Sequence, residues 1–393
     1  MFVEDIHRHI STKMRGNKKW WDGLHADLLQ LLSLFFIRGV PLANVQKYFE
    51  SFHKDIKLGK FEENQILRDK RDIIREKLEK KLSETFERHG EKCPNFTFRD
   101  QGSYEMGTGT KPLDSDYDID QGLYFMVGTT DYPDPVILKQ RVHGALDGHT
   151  QEVRIRQSCV TVFYQQDGEP IYHVDIAVYS DGEMNLDGAD RLAKGKEFST
   201  PGYRFWEISD PQGLTNTILA RFEEETDRAQ FRRIVRYLKR WKDENFSKDG
   251  NAAPRGIGLT ILAYDHLQPS YVNNFDFDAN DLEALRGIVQ ATLNRFFYRW
   301  DEDEQKSVRC LIVPLPVEPQ NDLFERLTNC QMEEFEQKLK ELQIALDAAA
   351  VEVDPVEACK HLNRVFGTSF PLPLKEETAK RHTPVIISSS SSA

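Results

Sequence analysis

The sequence predicts an α+β fold in which a strand-bearing segment is followed by a mostly helical one. Three observations carry this expectation. Between residues 96 and 179, short apolar runs of strand length alternate with Gly, Ser and Asp turn signals. A highly charged stretch with apolar residues at helical spacing precedes them. From Asp210 onward the pattern is mostly helical, punctuated by Pro211, Pro254, Pro269 and a Pro314–Pro319 cluster.

Taken in order, residues 1–44 read as a separable helical extension ending near Pro41. Within it, Leu28–Ile37 (LLQLLSLFFI) is apolar but too short to span a bilayer, and no small-residue cleavage site follows. A helix is expected from about Asn64 to Arg88, with Ile66, Ile73, Ile74, Leu78 and Leu82 as its apolar positions, and Pro94 stops it. Residues 96–125 then read as a short strand, a Gly-Ser turn, a polar loop and a second strand. A helix over 135–146 precedes two strand-like runs, Val153–Tyr164 and Ile171–Tyr179, around the turn Gln165–Gly168. The division expected is a sheet lobe over 45–210 and a helical lobe over 211–374. The tail, 375–393, ends in SSSSSA, holds too little apolar area to pack, and is expected to be disordered.

Composition limits the function classes. The chain has 393 residues, with 52 Lys+Arg against 64 Asp+Glu, a net charge of −12. Affinity for long nucleic acid comes from basic residues neutralising phosphates, so an acidic chain is a poor polymer binder. The five cysteines (Cys93, Cys159, Cys310, Cys330, Cys359) are dispersed without CxxC or zinc-like spacing, which reads as reduced thiols in a cytoplasm.

The informative chemistry is Asp118-Ile119-Asp120. On a strand, residues i and i+2 share a face, so both carboxylates project together while Ile119 enters the core. Two carboxylates aimed at one point repel unless a cation lies between them, which is how Mg²⁺ is held beside phosphate oxygens. In YHVDIAVY (172–179), alternation puts Val174, Ile176 and Val178 on one face and Asp175 on the other. A charge in mid-strand is costly to bury alone, and the same metal site is its economical partner. Upstream, Gly102-Ser103 permits a tight turn whose N–H groups can approach a phosphate. A lone DxD is more often a solvated strand face, and DSDYDID leaves Asp116/Asp118 open as the pair. Asp118/Asp120 is preferred because Leu123-Tyr124-Phe125 continues that strand. The ordered combination describes a two-metal phosphoryl-transfer site. In a helix expected over about 227–246, Phe231, Ile234, Val235, Leu238 and Trp241 form an apolar stripe, and Arg232, Arg236 and Lys239 recur on a neighbouring face.

At these residues the sequence resembles the DNA polymerase β superfamily, and within it the cGAS/DncV-like nucleotidyltransferases, nearest the bacterial cyclic GMP-AMP synthase branch. The resemblance rests on QGSYEMGTGTKPLDSDYDIDQGLYF (101–125), YHVDIAVY (172–179), WEISDPQ (206–212), YLKRWKDEN (237–245) and LNRVFG (362–367), and covers about residues 45–372. It implies a polymerase β-like lobe, a mixed sheet flanked by helices, packed on a mostly helical second lobe with the active site in the cleft. It further implies two Mg²⁺, with Mn²⁺ able to substitute, held by Asp118, Asp120 and Asp175. Gln101, Gly102 and Ser103 would cradle the donor triphosphate and Lys239 would contact its phosphates. The implied activity is synthesis of a cyclic di- or trinucleotide from ATP and other NTPs in bacterial antiphage signalling. Long nucleic acid and membrane are not expected partners; operon-encoded regulatory or conjugating proteins, acting through the C-terminal tail, are. Where relatives carry serines before the helix near Ile257–Leu267, this chain has Pro254-Arg255-Gly256-Ile257-Gly258, which makes Arg255 a candidate base or phosphate contact. Two other classes stay open at this point: template-independent nucleotide addition to RNA, and a non-catalytic nucleotide-binding scaffold.

Overall fold

The computed structural model describes residues 42–58, 63–113, 117–166, 169–247, 252–273 and 278–374. Most of the expected N-terminal extension (1–41), Asp114, Asp116, the turn residues Asp167-Gly168 and the tail from Lys375 lie outside the described residues. Two helices, α1 (Gln46–Ile56) and α2 (Glu63–Glu87), lead into the sheet. There follow β1 (Phe96–Asp100), the one-turn helix α3 (Gly102–Glu105), β2 (Tyr117–Phe125) and α4 (Val136–Leu146). Next come β3 (Glu152–Ile155), β4 (Val160–Gln166), β5 (Glu169–Ser180), β6 (Arg191–Lys194) and β7 (Phe205–Ile208). The remainder is α5 (Pro211–Leu219), α6 (Glu225–Asn245), α7 (Gly256–His266), β8 (Tyr271–Asn273), β9 (Asp278–Ala279), α8 (Asp281–Asn294), β10 (Phe297–Asp301), β11 (Lys306–Cys310), α9 (Asn329–Val351) and α10 (Pro355–Phe366).

Seven strands form one mixed sheet in the order β1-β2-β5-β4-β3, with β6 and β7 continuing from the end of β5. β2 and β5 pair in parallel, and the other pairs are antiparallel. One face carries Ile119, Leu123, Val160, Val162, Val174, Ile176 and Val178, all packed with α2 and α4 into one apolar core. A period-two pattern in mid-sheet thereby leaves the opposite face to the intervening residues, among them the acidic ones.

A second core is built by α1 and α6 to α10. Membership of α1 in it corrects its expected place in the sheet lobe. Phe49 and Phe52 stack among Tyr237, Phe366 and Phe370 with ring centroids 5.1–6.3 Å apart, and the Tyr237 hydroxyl donates to the Phe49 carbonyl at 2.9 Å.

Two further expectations need adjustment. The buried stripe of α2 is Leu67, Ile74, Leu78, Leu82 and Phe86, whereas Ile66 and Ile73 are exposed because they lie about 100° away per residue step. The run Val153–Tyr164 is two strands: Arg156–Cys159 turn the chain, with Arg156 N–H on the Cys159 carbonyl at 2.9 Å, and the halves pair as a hairpin. The break at Asp210-Pro211 starts α5, where the Asp210 carboxylate accepts from Gly213 N–H at 2.7 Å and Pro211 needs no partner for its nitrogen. All five cysteines are free thiols. Among the described residues no helix is long and apolar enough to cross a membrane.

Candidate active site

β2 and β5 bring the acidic residues together through their register. Asp118 lies opposite His173 and Asp120 opposite Asp175, so the four side chains occupy the corners of a rectangle on the face away from α2 and α4. Ile119 and Val174 between them are buried in the core, as the alternation requires. His173 Nε2 is 3.2 Å from an Asp118 carboxylate oxygen. One ligand atom each of Asp118, His173 and Asp175 lies within 4.8 Å of the others. The Thr161 hydroxyl donates to Asp175 Oδ1.

Crowding has an electrostatic signature. Burial first, then Asp118 and Asp175, push the Asp120 carboxyl well above the usual carboxylate range. Burial and Asp118 also push Asp175 up, opposed by the Thr161 hydrogen bond and by His173. Charges this close are relieved by a divalent cation, so the residues present fit one.

The Gly-Ser turn sits against this cluster. Gly102 has φ +79°, and a Cβ at that position would overlap the Asp120 carboxylate, with Asp120 Cγ only 2.7 Å away. Glycine is therefore required twice, by backbone conformation and by space. Two arginines of α2 brace the approach: Arg71 Nη1 lies 3.0 Å from an Asp100 carboxylate oxygen, and Arg75 Nε donates to Gln121 Oε1 at 2.8 Å. Gln101 accepts from the Tyr179 hydroxyl at 3.3 Å, which holds its side chain back on the sheet. Ser103 accepts at its carbonyl from Thr108 N–H at 2.9 Å, closing the loop that leads back to β2.

That loop is gripped by the basic row of α6. Arg236 Nε donates to the Gly109 carbonyl at 2.9 Å, and its Nη2 donates to Gly107. Arg240 Nη2 donates to the Lys111 carbonyl at 2.8 Å. Lys239 Nζ donates to the Thr108 carbonyl and hydroxyl at 3.1 and 3.3 Å. Burial, with Arg236 and Lys242 nearby, brings the Lys239 ammonium down to about 8, and Asp120 is among the groups opposing that shift. Lys239 is thus anchored on the loop that leads back to β2, within electrostatic reach of Asp120, and Gly256 at the start of α7 lies against its stem. Arg255, by contrast, is exposed, and its charged neighbours are Arg326, Glu325 and Glu207, with no contact to the carboxylate rectangle.

Sequence reasoning missed His173 and Thr161. The first was legible in principle, because in His173-Val174-Asp175 the same i, i+2 rule that pairs Asp118 with Asp120 puts His173 on the acidic face. Thr161 carried no local signal, since only the β4–β5 register places it beside Asp175.

Residues 96–179 match the family model described as "Cyclic GMP-AMP synthase DncV-like, nucleotidyltransferase domain". The match runs from the first residue of β1 nearly to the end of β5, the stretch that carries the acidic residues. A cyclic GMP-AMP synthase of Escherichia albertii is 26% identical over 208 residues, which is 51% of this chain and 42% of that protein, so the alignment spans less than half of the relative's length. The structure of the Vibrio cholerae DncV cyclic AMP-GMP synthase superposes with TM-score 0.58 at 16% identity, covering 84% of this chain and 97% of that one. That of CdnG from Bradyrhizobium diazoefficiens, a CD-NTase in complex with GTP, gives TM-score 0.61 at 16% identity, over 83% of this chain and 97% of that one. The α+β architecture is therefore the DncV/CD-NTase fold.

Proposed function

We propose that this protein is a cytoplasmic, metal-dependent nucleotidyltransferase that joins NTPs into a cyclic di- or trinucleotide second messenger for bacterial antiphage signalling. One observation carries the reading: the parallel register of β2 and β5 gathers Asp118, Asp120 and Asp175 on one face, beside the Gly102–Ser103 turn, with Lys239 on the loop that follows it. Similarity of residues 96–179 to cyclic GMP-AMP synthases supports the same class.

Asp118, Asp120 and Asp175 would hold two Mg²⁺, with Mn²⁺ able to substitute, and the ions would neutralise the triphosphate and acidify the attacking ribose hydroxyl. The backbone N–H groups of the Gly102–Ser103 turn would bind phosphate oxygens, which the positive φ of Gly102 orients. Lys239 would add a cation on the triphosphate, a point charge suited to phosphate. Gln101, tied to Tyr179, would keep the turn at its distance from β2. Asp175, oriented by Thr161, would lie nearest the acceptor hydroxyl. Arg255 is proposed only as an outer contact to the nucleotide, because it stands apart from the rectangle.

Incubation with all four NTPs and Mg²⁺ or Mn²⁺ tests this reading. A phosphatase-resistant cyclic product is expected, and Asp118→Ala or Asp120→Ala should abolish it. Unchanged product from either variant would overturn the site; transfer of labelled ATP to added tRNA would overturn the product class.

A further inference from the structure

Histidine 173 is the corner of the rectangle that the carboxylate chemistry does not use. It faces Asp118 in register, and its ring is 13% exposed, packed near Phe163 with centroids 6.1 Å apart. Its Nε2 points at the same place as the acids, 3.2 Å from an Asp118 oxygen. Ligands at about 2.1 Å on adjacent corners of an octahedron lie about 3.0 Å apart, and on opposite corners about 4.2 Å apart. The 3.2 Å between His173 and Asp118 is close to the adjacent-corner spacing, and the whole Asp118, His173, Asp175 group, within 4.8 Å, can close around one ion with a small inward shift.

We infer that His173 is a nitrogen ligand of a divalent ion shared with Asp118 and Asp175, and that it biases the site toward Mn²⁺ or Co²⁺ over Mg²⁺. Imidazole is a softer donor than carboxylate and suits first-row transition metals, whereas Mg²⁺ takes oxygen. Replacing one oxygen by His173 Nε2 therefore costs Mg²⁺ affinity and leaves Mn²⁺ well served. The strand register and the neighbouring Phe163 ring hold the His173 imidazole on the acidic side of the sheet, beside Asp118. This inference rests on the nucleotidyltransferase reading for the site's purpose, but its test does not depend on turnover.

The experiment loads the full chain with Mn²⁺ alone and then with Mn²⁺ and a non-hydrolysable ATP analogue. Pulsed electron paramagnetic resonance then reads nitrogen coupling to the ion. Direct ¹⁴N coupling is expected, changing to a ¹⁵N pattern when the protein is labelled only at histidine nitrogen; this assignment needs no variant and excludes the adenine ring as the source. In parallel, His173→Gln should weaken Mn²⁺ binding by at least about 10-fold. Mg²⁺ binding should change by less than about 3-fold. Mn²⁺ bound without histidine coupling would overturn the inference, as would equal losses for both metals, which would mean that His173 only donates a hydrogen bond to Asp118. Histidine coupling with no nucleotide product under any condition would leave this ligand standing and remove the functional reading instead.

Discussion

Substituting Gly102 by alanine separates two costs that usually arrive together. Gly102 and Gly107 both have positive φ, +79° and +65°. An alanine at either pays for the left-handed conformation, about 1–2 kcal/mol. Their surroundings differ. At Gly107 a methyl would meet only the flexible Arg232 side chain, at 3.5 and 3.7 Å, which is ordinary contact. At Gly102 it would meet Asp120 Cγ at 2.7 Å and Cβ at 2.9 Å. Carbon atoms rest at about 3.5–4.0 Å, so the turn or the carboxylate must move by about 1 Å. A displacement of that size at reacting groups costs about 100-fold in turnover. Gly107→Ala should therefore lose only the conformational cost in a thermal melt, Gly102→Ala should lose about 1–3 kcal/mol more from the overlap, and NTP consumption measured by chromatography should fall about 100-fold only in Gly102→Ala. Turnover of Gly102→Ala within about 3-fold of Gly107→Ala would refute the claim that the turn positions Asp120.

Further outcomes follow from the loop and its clamps. Lys239→Met keeps the stem and removes a charge-assisted hydrogen bond of about 1.5–3 kcal/mol, so the KM for the triphosphate should rise about 10- to 100-fold with a smaller change in kcat. Because the Lys239 ammonium titrates near 8, wild-type affinity for nucleotide should fall as pH rises through that value, and the Met variant should not share the fall. Arg236→Met strands the carbonyls of Gly107 and Gly109 and should cost about 2–4 kcal/mol of stability in denaturant unfolding, with Arg236→Lys restoring only part. His53 is held neutral, its pKa brought down to about 3 by burial and by Arg236, whose Nη1 lies 3.0 Å from its Nε2. Its folded pKa lies below the unfolded value of about 6.5, so the stability it contributes is complete above that pH and is lost as pH falls toward 3. His53→Gln should flatten the decline between pH 6.5 and 5 by at most about 2 kcal/mol, and an unchanged slope would refute the assignment.

How much of this was legible in the sequence varied with the range of the interaction. Asp118, Asp120 and Asp175 could be read from two-residue alternation, because a strand's faces are set locally. The apolar stripe of α6 was equally legible, and Phe231, Ile234, Val235, Leu238 and Trp241 are all buried as the 3.6-residue period requires. The packing of α1 was not, because nothing in its own sequence distinguishes a partner on the sheet from one 180 residues later. The role of Arg236 and Arg240 was also hidden. Their period marks a face, but the acceptors are backbone carbonyls of a distant loop, and carbonyls leave no trace in a sequence. The strands β6 and β7 were missed for a related reason: at four residues each they are too short to show alternation.

The residues that make the site are held in place by residues that take no part in it. The rectangle exists only because β2 and β5 pair in one register, Asp118 with His173 and Asp120 with Asp175. A slip of β5 by one residue would send Asp175 toward the core and Val174, Ile176 and Val178 to the open face. What forbids the slip is the buried series Ile119, Leu123, Val174, Ile176 and Val178, packed under α2 and α4. Parallel pairing adds a constraint, because the two strands are joined by a long crossover containing α4 and the β3–β4 hairpin, so no tight turn sets their alignment. Hydrophobic packing on one face thus performs the alignment that the acidic face requires, and the mutual repulsion of Asp118, Asp120 and Asp175 is a strain which that packing must overcome before any cation arrives.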